Sequence, residues 1–206
     1  MIRPGDRSVR NVYVSGQPAR RVYAGTGAGA EVVWEAGPPV VRIIPGGGVL
    51  GVRNQFRQAC VTYGTTYEKV KKLPFHLDIS QVTDISSIFS GCAALTEAPF
   101  LDTRHVTSVQ SMFNGCAALT EAPFLDTTHM ANTGYLFYRC TSLATVPDMD
   151  SSGITWANYM FSGCSSLADG NVRLIGKHPS VSTGNMITGS GLTREPFYDA
   201  DGNPID

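Results

Sequence analysis

Cys92, Cys116, Cys140 and Cys164 follow one another at intervals of 24 residues. The same step carries Phe89 to Phe113, Phe137 and Phe161, Leu95 to Leu119, Leu143 and Leu167, and Val82 to Val106, Met130 and Ile154. Ile88, Met112, Leu136 and Met160 form another column, and Asp78, Asp102, Asp126 and Asp150 another. A fixed period of this size marks stacked supersecondary units, none of which can bury its own apolar side chains alone. Equivalent residues must therefore lie on one another in a shared interior.

Each unit divides into two halves. Val106–Phe113 places apolar residues at i, i+3, i+6 and i+7, which predicts a short helix. Thr107 and Gln110 have the spacing of a capping box, and Gly115 suits a left-handed C-terminal position. Leu119-Thr120-Glu121-Ala122-Pro123-Phe124 then fits the L-x-x-L-x-L strand of leucine-rich repeats, and Asp126-Thr127 turns the chain back. The fold class expected is α/β repeat: a leucine-rich-repeat solenoid, with a short helix plus a strand in each 24-residue repeat and a small N-terminal all-β anchor segment.

The flanks complete the division. Val12-Tyr13, Val22-Tyr23 and Val32-Val33-Trp34, separated by Gly-containing turns, predict a β-meander over residues 1–38. Gly37-Pro38-Pro39 and Pro45-Gly46-Gly47-Gly48 bracket a linker, 39–51. Residues 52–206 are the solenoid: an N-terminal cap over 52–77 with a helix from Asn54 to Tyr63 stopped by Gly64, repeats over 78–197, and a polar tail over 198–206. Val70-x-x-Leu73-x-Phe75 is read as the cap's strand, and Gly189–Phe197 as a degenerate fifth copy with Ser190 in the cysteine column.

The run Asp102–Thr120, with its Met-Phe-x-Gly-Cys-x-x-Leu core, resembles the BspA-like leucine-rich repeat of bacterial surface proteins, over roughly residues 54–197. The third copy departs most, with Arg139 before Cys140 and Gly134 and Tyr135 in the expected helix. The resemblance implies adhesion or recognition and carries no catalytic residues. The N-terminal pattern is similar to short segments that begin phage tail and virion proteins, where they anchor a host-facing domain. It implies an anchor at Val12, Tyr13, Val22, Tyr23 and Trp34.

Charge narrows the partners. Only 16% of residues are charged and the net charge is −1, which argues against nucleic acid, whose binding needs a clustered basic field. No apolar run spans a bilayer, so membrane insertion is not expected, and the N-terminus has no apolar export segment. There are five cysteines and no C-x-x-C pair, and the four on the repeat lattice read as buried free thiols rather than disulfides or a zinc site. His105 and His129 lack a third ligand at Gln81 or Gly153 and read as solvated. The aspartate column reads as turn-forming rather than calcium-binding. No nucleophile–base set, P-loop or Rossmann pattern is present, so no enzyme activity, cofactor or metal is expected.

The binding face expected is the outer side of the strands: Glu97, Glu121, Thr145, Asp169 and Arg194, with Thr96 and Thr120 beside them. Leu101, Leu125 and Met149 also point outward in that register, which marks either a stripe buried against a partner or a strand register off by one. The functional expectation is a non-enzymatic phage virion protein, a minor tail protein or capsid decoration exposed on the particle. It would contact other virion proteins through its N-terminus and a host envelope protein or glycan through the solenoid, as a homo-oligomer. The alternative is a bacterial cell-surface adhesin.

Overall fold

The structure, a computed structural model, describes residues 13–14, 17–24, 31–36 and 38–205. Two compact units divide the chain at Val41 and Arg42, with Pro74–His76 belonging to the first. In the first unit β1 (Tyr13–Val14), β2 (Gln17–Ala24) and β3 (Glu31–Ala36) form an antiparallel sheet in that order, with Tyr23 opposite Val32 and Arg21 opposite Trp34. Val12 lies outside the described residues.

Residues 39–51, expected as a linker, hold a strand and the start of a helix. β4 (Val40–Arg42) pairs with β5 (His76–Asp78), and the Ile43 amide donates to the Asp78 carbonyl at 2.8 Å. Ile43 is fully buried, and α1 (Gly48–Thr62) starts six residues before Asn54. Glycine here permits left-handed turns, with Gly47 at φ +66 and Gly48 at φ +57, rather than a flexible tether. α1 buries Val52, Phe56, Ala59 and Cys60 along one stripe, and Gly64 at φ +76 ends it. The strand expected over 70–75 is made of turns and bends, although Val70 and Phe75 are buried.

Beyond β5 the chain winds in coils. The amides of Ile85, Ser87, Phe89 and Gly91 donate to the carbonyls of Ser108, Gln110, Met112 and Asn114 at 2.8–3.1 Å. Equivalent ladders join the later coils, and parallel bridges link Asp84, Ser108, Asn132, Trp156 and Ser182 in succession. The last of these steps, Trp156 to Ser182, is 26 residues rather than 24, which sets Ile187 in the phenylalanine column and Ser190 in the cysteine column.

The short helices expected in each repeat do not form; among the described residues α1 is the sole α-helix. Ser87, Ser111, Tyr135, Tyr159 and Asn185 all have φ between +55 and +60, and Gly91, Gly115, Arg139, Gly163 and Gly189 are left-handed too. Two left-handed residues four positions apart in each coil stop right-handed propagation, and alternate amides then bond to the next coil. Thr107, expected to cap a helix, instead reaches back to the Thr83 carbonyl with its amide at 2.8 Å and its hydroxyl at 3.3 Å.

The interior holds a file of rings. Phe89 stacks on Phe113 at 5.3 Å, Phe113 on Phe137 at 5.7 Å, and Phe137 on Phe161 at 5.8 Å, all fully buried. Phe56 of α1 closes the file edge-on to Phe89 at 5.0 Å. At the other end β6 (Met149–Asp150), β7 (Leu174–Ile175) and β8 (Phe197–Tyr198) form a parallel sheet. The expected tail folds back, since the Ile205 amide donates to the Phe197 carbonyl at 2.9 Å and Tyr198 bridges Pro204.

Candidate binding face

The segments after Cys116 and Cys140 have an inward period of three. Leu119, Ala122 and Leu125 are buried, as are Leu143, Val146 and Met149 one coil later. Pro123 and Pro147 set this period: proline fixes φ near −65° and favours a three-residue turn over strict strand alternation. The expected outward stripe of Leu101, Leu125 and Met149 is therefore corrected, since each is 3% exposed. Their neighbours Phe100 and Phe124 take the outer positions instead, at 80% and 60% exposure.

Behind this face the turns are locked between coils. The buried Thr103 hydroxyl donates to the Asp126 carbonyl at 3.2 Å and accepts from the Asp126 amide at 2.8 Å; Thr127 donates to the Asp150 carbonyl at 2.7 Å. Asp78, Asp102, Asp126 and Asp150 each accept the amide two residues on, at 2.9–3.3 Å. Hydrogen bonds from Ser80 and Arg42 hold the Asp78 carboxyl down at about 2, and those from Arg104 do the same for Asp102. Among the described residues no group of three His, Cys, Asp or Glu side chains is placed to hold a metal. His105 is not freely solvated, because its Nε2 lies 3.0 Å from the Ile79 carbonyl, whereas His129 is exposed.

All seven residues expected on the binding face are exposed, but they do not form one site. Thr96, Glu97, Thr120 and Glu121 line an open groove of about 350 Å³ whose floor and wall are Ala98, Ala122, Pro123, Phe124 and Pro147. Thr145 bridges Glu121 outside that lining, while Asp169 and Arg194 belong to later coils. The Asp169 carboxyl, held low by the Thr193 hydroxyl and amide, braces its own neighbours. Arg194 bonds the Tyr198 hydroxyl at 3.2 Å and lies over that ring. Glu97 pairs with Lys72 at 2.9 Å, with both side chains more than 60% exposed, and such a pair contributes at most about 1 kcal/mol. A second hollow of about 260 Å³ adjoins the groove, lined by Phe100, Leu101, Asp102, Thr103, Arg104, Phe124 and Asp126.

Phe100 and Phe124 are the residues that sequence reasoning missed. The signal was the repeated run Glu-Ala-Pro-Phe-Leu-Asp-Thr at 97–103 and 121–127, in which proline displaces the inward position by one residue.

The parallel-stacked coils thus carry an open groove lined by threonine and glutamate, with the exposed Phe124 in its wall. A model of the family described as Mycoplasma protein of unknown function, DUF285, matches residues 57–172, more than half of the chain, and the protein belongs to that family. No curated protein and no solved structure matches the chain.

Proposed function

We propose that this chain is a leucine-rich-repeat-type solenoid without enzymatic activity, which presents the Phe100–Phe124 face to a partner from the surface of a phage particle. The observation that carries the binding part is the exposure of Phe100 and Phe124 at equivalent positions of adjacent coils. Large apolar side chains displayed side by side are costly to leave in water and mark contact surfaces. The virion part is supported by the V-Y-x-x-G pattern of the N-terminal segment, which would join the chain to other virion proteins as a symmetric oligomer, in a minor tail protein or capsid decoration.

The second reading is a bacterial cell-surface adhesin of BspA-like type. What favours it is the family match, whose description names a bacterium. Mass spectrometry separates the two: peptides of this chain in purified particles support the virion role, and peptides in wall fractions of uninfected cells support the adhesin. The face itself is tested by Phe100→Ser with Phe124→Ser in the full chain. We expect an unchanged melting temperature and loss of attachment to host cells or particles. Undiminished attachment would remove the face from the proposal.

A further inference from the structure

We propose that the third and fourth coils carry a carbohydrate-binding platform built from Tyr135, Tyr138, Arg139, Trp156 and Tyr159. This names a ligand class for recognition at a surface and rests only on that part of the function above, not on the virion. The four rings form one half-buried cluster. Tyr135 stacks on Tyr159 at 4.8 Å and meets Tyr138 and Trp156 edge-on at 5.5 and 6.3 Å, while the Arg139 guanidinium lies 5.0 Å from the Tyr138 ring centre.

Stacking of the coils does not require these residues. The first two coils hold Ser87 and Ser111 where the later ones hold Tyr135 and Tyr159, and Gly91 and Gly115 where the third holds Arg139. Tyr135, Arg139 and Tyr159 have φ of +58, +57 and +58, a conformation costing an L-residue about 1–2 kcal/mol. Two glycines accommodate the cluster. A Cβ on Gly134 would meet the Trp156 ring at 3.0 Å, and one on Gly163 would meet the Arg139 side chain at 3.3 Å. The left-handed φ of Tyr135 and Tyr159 is shared by Ser87 and Ser111 in the same column, whereas Arg139 adds strain where the other coils hold glycine; that strain, the departures from the repeat and the space left at Gly134 fall on one patch.

The chemistry selects a sugar. One coil before Tyr135 the column holds Ser111, so the ring stack that starts at Tyr159 ends at Tyr135. A pyranose presents apolar C–H faces to such a ring and hydroxyls at its edge. Gln110, Asn132, Asn158 and Asn185 on neighbouring turns carry carboxamides: Asn185 donates to the Tyr159 hydroxyl at 2.9 Å and Asn132 to Gln110 at 3.4 Å. The Asn132 and Asn158 carbonyl oxygens accept the Gly134 and Gly184 amides at 3.0 and 2.7 Å, which leaves the Asn158 amide group to donate to a sugar hydroxyl. A single cation is too little for nucleic acid.

The test uses the full chain with Trp34→Phe, which leaves Trp156 as the sole tryptophan. Its fluorescence is titrated with maltohexaose, cellohexaose and chitohexaose, and the same protein is applied to a printed glycan array. We expect a saturable change with at least one hexose chain. Tyr135→Ser with Tyr159→Ser should lower that affinity about tenfold, because it removes ring stacking worth on the order of 1 kcal/mol or more. These changes restore residues that the first two coils already hold, and a melt verifies folding. If that variant does not fold, read-out passes to Arg139→Gly on the array, with the same loss expected. Val61→Ser, on the exposed side of α1, should leave sugar binding intact. No saturable binding in titration and array, or equal binding by a folded variant, overturns the platform. Binding that responds to peptide or nucleic acid but not to sugar also overturns it. Sugar binding by a chain absent from particles upholds the platform and defeats the virion placement.

Discussion

Phe113 has a stacked ring on either side and no exposed surface, so its removal opens a void that neither neighbour can fill by local collapse. Phe113→Ala should cost about 3–5 kcal/mol in urea denaturation, and a loss below about 1 kcal/mol would contradict the file of rings. Beside the rings runs the cysteine column, whose thiols are free and buried. Cys116, Cys140 and Cys164 donate to the Phe89, Phe113 and Phe137 carbonyls one coil back, at 3.3, 3.1 and 2.9 Å. Burial pushes the Cys92 and Cys164 thiols up to about 12 and Cys60 up to about 11, because the thiolate would lose its hydration. An unfolded thiol ionises near 8.5, so the stabilisation is complete below that pH and is lost as pH rises towards 12. Urea melts at pH 8 and pH 10 should show the loss, at most about 1.4 kcal/mol per pH unit for each thiol held neutral. Cys92→Ala should make the decline shallower; an unchanged slope would count against the thiol as its cause.

At the scale of the element, the lattice of equivalent residues was legible and the backbone path was not. Buried columns follow from identity at 24-residue intervals whatever conformation connects them. The i, i+3, i+6, i+7 pattern of Val106–Phe113 fits a helix and a turn-rich ladder equally, since both return apolar side chains to one side. What decides between them is the left-handed residue at Ser111, and serine does not advertise that conformation as Gly115 does. The inward period of the segment after Cys116 is not legible from strand alternation, because Pro123 displaces the inward position by one residue. The aromatic platform left a clearer trace, since Gly134, Tyr135 and Arg139 broke the pattern of their own columns, but only the fold brings Trp156 beside them. Strain at these positions gives two opposed expectations. Arg139→Gly replaces a left-handed L-residue with the glycine of the other coils and should raise stability by about 1 kcal/mol, read as the urea midpoint at constant slope. Gly134→Ala sets a Cβ 3.0 Å from the Trp156 ring and should cost about 1–3 kcal/mol, with a change in tryptophan emission. A destabilised Arg139→Gly would mean that the guanidinium's contact with Tyr138 outweighs the strain.

For the molecule as a whole, the consequence of stacking is that energy passes between neighbouring coils and little further. Parallel bridges and amide ladders join each coil to the ones before and after it, and the ring file repeats that connectivity inside. Stability in such an array is approximately a sum of coil terms and nearest-neighbour interfaces. Double-mutant cycles can read this directly. Phe113→Leu with Phe137→Leu alters two rings that stack at 5.7 Å and should show a coupling of about 0.5 kcal/mol or more. Phe89→Leu with Phe161→Leu alters rings separated by both of those, and the effects should add within about 0.5 kcal/mol. Leucine is chosen over alanine because it removes the ring without emptying the column, so the remaining coils keep their spacing. Equal coupling in the two cycles would mean that the coils respond as one body. A single-coil change such as those that build the aromatic platform could then not be made without disturbing Phe56 and α1 at the end of the file.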